Sequence, residues 1–159
     1  MRKWIAIAAG LLILAAANYT IFTREKLITE GRIVLLELAP VDPRSLMQGD
    51  YMALNFKVSD AAFGRGRTER TDGRIVVRLD ARGIASFARF DEGQPLAADE
   101  QRLRYRIRDR QAKFATNAYF FQEGTGQRYA GARYGEFRVA ENGEAILTAL
   151  RGKDLEPLR

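Results

Sequence analysis

The sequence has no cysteine and no histidine among its 159 residues. The lack of cysteine excludes disulfides, thiolate nucleophiles, haem thioether attachment and zinc or iron–sulfur sites with Cys ligands. The lack of histidine excludes Ser-His and Cys-His triads, zincin-type metal sites and the commonest general base. The composition therefore favours binding over catalysis, and we expect no cofactor and no metal.

Charge is also missing from one long segment, residues 4–22 (WIAIAAGLLILAAANYTIF). As a helix this segment spans about 28 Å, close to the thickness of a bilayer's hydrocarbon core. A cleaved signal peptide is the alternative, since Arg2 and Lys3 form a basic start and residues 15–17 are three alanines. The apolar character continues through Phe22, past such a cleavage site, and this favours a retained anchor. We expect residues 1–30 to form the anchor and a stalk helix that ends at Gly31, and residues 31–159 to form one domain.

The orientation of such an anchor is predicted from what lies on each side of it. All 20 acidic residues and all but two of the 26 basic residues lie at Arg24 or beyond. Long domains translocate largely regardless of their charge, whereas a short basic tail has little reason to cross. We therefore expect a single-pass protein of the cytoplasmic (inner) membrane with its C-terminal domain in the periplasm.

The domain has the short, alternating patterns that are typical of β-strands. The predicted fold class is mainly β, with about eight short antiparallel strands and one or two short helical turns after the transmembrane helix. The predicted strands are 32–39, 51–58, 74–80, 84–90, 102–109, 117–122, 134–140 and 145–150. Residues 81–83 predict a hairpin turn, Asn142-Gly143 a two-residue hairpin turn, and 127–130 one helical turn. Residues 59–70 are polar and predict a loop.

The most specific local pattern runs from residue 40 to residue 56. Asp42 is a good helix N-cap and Pro43 suits the first helical position, so a short helix is expected to end before Gly49. Asp50 is placed to accept hydrogen bonds from backbone N–H groups of the turn. On a regular strand Tyr51 points away from the face that carries the later apolar residues, unless a bulge turns it back.

These residues resemble a family of bacterial membrane-anchored proteins that is named for a GDYXXLXY motif and has no assigned activity. The motif positions are Gly49, Asp50, Tyr51 and Leu54, with Phe56 in place of the final Tyr. The preceding PVDPRSLMQ, with Asp42, Pro43 and Arg44, is also similar to the family, as are FFQEG at 120–124, ARYGEFRV at 132–139 and GEAILTALRGKDLEPL at 143–158. The resemblance covers nearly the whole chain. It implies an N-terminal membrane anchor and an extracytoplasmic domain, and it implies no reaction.

The motif has two interpretations. It is either a structural turn that needs a glycine, an aspartate cap and a packed tyrosine, or a recognition site in which Asp42, Arg44 and Asp50 contact a partner. A hydrolase that pairs Ser45 with Lys57 or Lys113 is a remote alternative.

Arginine dominates the positive charge, since only five of the 26 basic residues are Lys. The strand at 102–109 places four arginines on one face: Arg102, Arg104, Arg106 and Arg108. Arg74 and Arg78 share a face of another strand, and together the two strands would form a basic wall. The wall is either neutralised by acids such as Asp80 and Asp109, or it contacts anionic lipid or an acidic partner. Nucleic acid is not expected in the predicted compartment.

The remaining cluster is aromatic. Six side chains belong either to the core or to a glycan-binding groove with Glu123 and Glu136: Tyr119, Phe120, Phe121, Tyr129, Tyr134 and Phe137. The sequence as a whole predicts a non-enzymatic, membrane-anchored accessory or interaction protein of the bacterial cell envelope, which works with another membrane protein. The alternative is a binding module for anionic lipid or envelope glycan.

Overall fold

A computed structural model describes residues 2–39, 47–48, 51–64, 70–108 and 110–158. The first part of the chain contains α1 (Arg2–Glu30), β1 (Arg32–Glu37), β2 (Met47–Gln48), β3 (Tyr51–Ala53) and α2 (Lys57–Phe63). The middle contains β4 (Gly73–Leu79), β5 (Ala85–Phe90), β6 (Glu100–Arg108), β7 (Gln111–Phe114) and β8 (Ala118–Phe120). A 3₁₀ helix (Gly126–Tyr129), β9 (Tyr134–Val139), β10 (Ala145–Arg151) and β11 (Pro157–Leu158) follow. The fold is mainly β, as predicted.

Helix α1 contains the uncharged segment and continues without a break into the predicted stalk. It is long and apolar enough to span a membrane, with a mean hydropathy of 2.1 in its most apolar part, none of which is buried. Its large apolar side chains, from Trp4 to Phe22, are exposed. Leu27 is the exception, because it is buried against the domain.

The described strands form three antiparallel sheets. The first has the order β1-β9-β10-β11, the second β2-β3-β8, and the third β5-β4-β6-β7. The Leu35 N–H donates to Gly83 O over 2.9 Å, which joins the first sheet to the β4–β5 turn. One hydrophobic core draws on all three sheets, with Phe137, Met52 and Leu103 as examples from each. Burial of this apolar surface is the main force that holds the sheets together.

Both predicted hairpins are present. Strands β4 and β5 pair across a turn in which Gly83 has a φ of 80°, the left-handed conformation that glycine adopts without cost. Strands β9 and β10 pair across residues 141–143, with Gly143 at a φ of 89°. This second connection has three residues rather than the predicted two, since the Ala140 N–H donates to Glu144 O and closes the loop.

The predicted strand 51–58 is wrong beyond Ala53. The chain leaves the sheet there, and helix α2 occupies Lys57–Phe63, part of which was predicted to be a loop. Met52, Leu54, Phe56 and Val58 are all buried, as their alternation predicts. The same alternation fits a short strand, an extended Phe56 and the first turn of a helix that faces the core.

One further prediction needs correction, and several residues that the sequence singled out lie outside the described residues. Met47 and Gln48 form strand β2, so they are not part of the helix expected before Gly49. Asp42, Pro43, Arg44, Ser45, Gly49, Asp50 and Asp109 lie outside the described residues. Strand β7 and the short β11 were not predicted.

Candidate functional site

Tyr51 is the described motif residue that reaches the surface. It begins β3 and lies directly across from Phe120 of β8, with ring centroids 5.7 Å apart. Phe120 is 74% exposed, whereas Met52, the next residue after Tyr51, is buried in the core. Tyr51 therefore serves the outer face of the small sheet, and no bulge turns it inward.

Leu54 and Phe56, the other described motif residues, are core residues. The Leu54 N–H donates to Asn117 O over 2.7 Å, which joins the end of β3 to the segment before β8. Phe56 packs edge to face on Phe137, with centroids 5.5 Å apart. Because Phe56 is buried, its replacement of the family's final tyrosine changes the core and leaves the surface unchanged.

The six aromatic residues that were considered as a glycan groove do not share one surface. Phe137 is fully buried and Phe120 is exposed, so these two lie in different environments. Tyr119 and Phe121 pack on Tyr129, with centroids 5.1 and 5.4 Å away, as a partly buried cluster. Burial and a hydrogen bond with Tyr129 raise the pKa of Tyr119.

The two carboxylates of the same hypothesis are also separated by their environments. Glu136 is buried, accepts a hydrogen bond from Arg151 and lies 3.2 Å from Thr148 Oγ1. Glu123 is exposed in a turn. Glu136 therefore has a structural role in the first sheet.

The two lysines of the hydrolase alternative lie in different surroundings, and Ser45 lies outside the described residues. Lys57 Nζ lies 2.5 Å from Glu37 Oε1, in an ion pair between partly exposed side chains. Lys113 lies among arginines, as described below.

The basic wall is present, because β4 and β6 are neighbours. Arg74 lies directly across from Arg104, and Arg78 directly across from Glu100. Leu103 and Tyr105, which alternate with the arginines, are buried on the opposite face. The wall is divided, however, into a neutralised half and a half with an excess of positive charge.

Two buried carboxylates neutralise the first half. Asp91, whose side chain is 1% exposed, is 2.8 Å from Arg74 Nε and 3.2 Å from Arg102 Nε. Burial tends to raise the pKa of Asp91, but the hydrogen bonds from Arg74 and the Gly93 N–H and the charge of Arg102 lower it overall. Arg102 is therefore part of an ion pair within the sheet.

Glu100 is the second of these carboxylates. Hydrogen bonds from Arg89 and from the Ala97 N–H lower the pKa of Glu100, and they outweigh its burial. Arg78 adds its charge from 3.9 Å and also pairs with Asp99 at 3.4 Å. Asp80, which was predicted to pair with the wall, instead accepts hydrogen bonds from the Ile84 and Arg82 N–H groups of the β4–β5 turn.

The second half of the wall surrounds a cavity of about 340 Å³, which we call the basic cavity. Among the described residues, its lining contains five cations and one carboxylate, Glu144. The cations are Arg24, Arg104, Arg106, Arg108 and Lys113. Arg24 comes from helix α1, so the cavity lies between this helix and the sheet.

Sequence reasoning missed Arg24 and Lys113 as members of this site. Lys113 lies directly across from Arg106 because β6 and β7 form a tight hairpin, and the only sequence signal for it was the short interval after residue 108. Arg24 is the first charged residue after the apolar segment, but its approach to β6 depends on how the helix docks.

A second cleft, of about 990 Å³, lies between the stalk and the segment that precedes β6. Its walls include Lys26, Glu30, Leu96 and Asn142. Because this lining mixes both signs of charge with apolar groups, it does not select one class of ligand.

The comparison with family sequences matches this architecture to a known group. A family described as GDYXXLXY protein matches residues 13–150, from the middle of helix α1 to strand β10. The chain belongs to the GDYXXLXY family. Among curated proteins and among solved structures, none matches the chain. Of the GDYXXLXY motif positions that the structure describes, Leu54 and Phe56 build the core and Tyr51 faces outward.

Proposed function

We propose that this GDYXXLXY protein is a membrane-anchored, non-enzymatic interaction protein of the bacterial cell envelope, with its β domain on the periplasmic side of the cytoplasmic membrane. The observation that carries the proposal is the direct docking of the anchor helix onto the domain. The helix and the first strand are separated by one residue, Gly31. A domain held in this way stays at a fixed height above the bilayer.

Contacts on both sides of Gly31 order this junction. The Gly31 N–H donates to Leu27 O over 3.0 Å and closes the last turn of the helix, and Arg138 Nη1 of β9 donates to Gly31 O over 3.1 Å and links this end to the domain. Arg32 donates to Glu100 O and Ala98 O over 2.9 and 3.0 Å, which ties the start of β1 to the start of β6. Hydrogen bonds to charged groups contribute about 1.5–3 kcal/mol each, so the junction is ordered rather than a free linker.

The surface that we assign to a partner is the outer face of the small sheet at Tyr51 and Phe120. Phe120 is the most exposed large apolar side chain of the described β domain. It lies next to a residue of the family motif, and an exposed aromatic side chain of this kind is typical of an interface anchor. Because the docked helix fixes the height of this face, a second membrane protein is the partner that meets it most readily.

The experiment is photo-crosslinking in native membranes with benzoylphenylalanine in place of Phe120. We expect one discrete adduct with a membrane protein, and we expect its loss when Tyr51 is also replaced by Ala. The matched control places the same photoreactive residue at Lys153, which is exposed in the turn before β11. No adduct at position 120, or identical adducts at both positions, would show that this face does not bind a partner.

A second candidate function, binding of anionic lipid, is favoured by the basic cavity. It is compatible with the first, since both place the domain at the membrane surface.

A further inference from the structure

Among the described residues, the lining of the basic cavity has more cations than carboxylates. Arg104 has Glu144 at 3.6 Å and Arg108 has Asp72 at 3.5 Å, both of them long contacts between partly exposed groups. Arg106 forms no ion pair within the described part of the chain. An anion would therefore find an unpaired guanidinium group in this cavity.

The placement of basic side chains on neighbouring strands points in the same direction. Arg106 of β6 lies directly across from Lys113 of β7, so cations of two strands line one side of the same cavity. Ala115, which also lines the cavity, has a φ of 46°, and such backbone strain is commonest at functional sites.

The anchor helix determines where the cavity lies. Arg24 follows Phe22, the last residue of the uncharged segment, by two positions, which is about 3 Å of helix rise. A side chain at that point is at the level of the lipid head groups when the segment spans the bilayer. The other cations line the same cavity and therefore lie near Arg24.

We propose that the basic cavity binds the phosphate of an anionic phospholipid head group from the leaflet in which the anchor ends. The guanidinium groups of Arg24, Arg104 and Arg106 offer paired N–H donors, the geometry that phosphate oxygens accept best. A zwitterionic head group is disfavoured because its own ammonium group would lie among the basic side chains of the lining. This proposal rests on the membrane anchoring in the proposed function, but not on the partner surface.

The test is native mass spectrometry of the full chain in a neutral maltoside detergent. The protein is titrated separately with phosphatidylglycerol, phosphatidylcholine and inorganic phosphate. The test variant combines Arg24→Gln and Arg106→Gln. The control variant combines Arg82→Gln and Arg128→Gln, which removes the same charge at exposed positions outside the cavity lining. Thermal unfolding of each variant without lipid checks that it is folded.

We expect phosphatidylglycerol to bind the wild type and the control variant equally, and the test variant at least about tenfold more weakly, since two charge-assisted contacts are lost. We also expect the test variant to unfold close to the wild-type temperature without lipid, because Arg106 forms no ion pair within the described part of the chain that the substitution would break. Equal binding of phosphatidylglycerol to wild type and test variant would overturn the proposal, as would an equal loss in the control.

Inorganic phosphate and phosphatidylcholine distinguish an anionic lipid from a free phosphate ion and from a zwitterionic lipid. Binding of inorganic phosphate as tightly as phosphatidylglycerol would assign the cavity to a free anion and contradict the lipid assignment. Equal binding of phosphatidylcholine would show that net head-group charge is not recognised. The crosslinking at Phe120 is read out separately, so failure of one proposal is distinguishable from failure of the other.

Discussion

Gly31 is the residue at which the anchor helix becomes the first strand of the domain. A Cβ built on Gly31 would lie 2.4 Å from Leu27 O and 3.1 Å from Arg138 Cβ. A backbone carbonyl cannot move away as a flexible side chain can, so any larger residue must distort the junction between the end of the helix and the sheet. The requirement is close packing rather than a left-handed backbone, because Gly31 is not among the glycines with positive φ.

We therefore expect Gly31→Ala to destabilise the full chain in detergent by about 1–3 kcal/mol, the usual cost of overpacking. Gly131→Ala is the matched control, since a Cβ there meets nothing within 4 Å and its φ is not positive. Thermal unfolding measures both variants. A Gly31→Ala protein as stable as Gly131→Ala would mean that the helix is not docked as described.

The third sheet, β5-β4-β6-β7, shows how an arginine-rich element is stabilised. Strands β4 and β6 place arginines on one face, and the buried carboxylates Asp91 and Glu100 each accept hydrogen bonds from one or more of the surrounding arginines. A carboxylate whose pKa is lowered by folding contributes stability above its ordinary pKa and loses it as the pH falls through the lowered value. The pKa of each of these two carboxyl groups is lowered.

The sheet is therefore expected to lose stability as the pH falls below the ordinary values of 4.5 for Glu100 and 3.8 for Asp91. Glu100→Gln should be less stable than wild type at neutral pH and should lose less stability on acidification. Chemical denaturation across this pH range measures the effect, with Glu92→Gln, an exposed carboxylate in a turn, as the control. If Glu100→Gln follows the wild-type pH curve, the pairing with Arg89 does not contribute.

Sequence patterns predicted these strands well because arginines alternate with apolar residues, so that only the apolar face can be the buried one. They failed after Ala53, where the buried positions Leu54, Phe56 and Val58 fit a strand and the start of helix α2 equally well. Phe56 is the N-cap of α2 and makes no side-chain capping bond, so the usual signal of a helix start is missing. The remaining signal was Gly64, which ends the helix with a φ of 75°.

The candidate sites depend on tertiary placement more than the strands do. Alternation predicted that Arg104, Arg106 and Arg108 share a face. It did not predict that Arg102 is bound to Asp91, or that Arg24 comes from the helix to complete the cavity. The contact between the partly buried Tyr51 and the exposed Phe120 depends on the pairing of β3 with β8, which is distant in sequence.

The whole molecule combines a long apolar helix with a β domain that packs directly against its end. Leu27, Gly31 and Arg138 fix the junction, and this places the basic cavity beside the last apolar turn of the helix. We propose that the membrane surrounds the exposed apolar part of the helix, that the basic cavity contacts lipid head groups, and that the face at Tyr51 and Phe120 contacts a partner.

The central claim, a retained anchor with an exported domain, is tested most directly by labelling a single cysteine, since the chain has none of its own. Lys153→Cys places it in an exposed turn of the domain. A membrane-impermeant maleimide is applied to intact spheroplasts, and the labelled chain is weighed by mass spectrometry after fractionation. We predict label on a full-length chain in the membrane fraction. Label on a shortened, soluble chain, or no label until the membrane is permeabilised, would contradict the account.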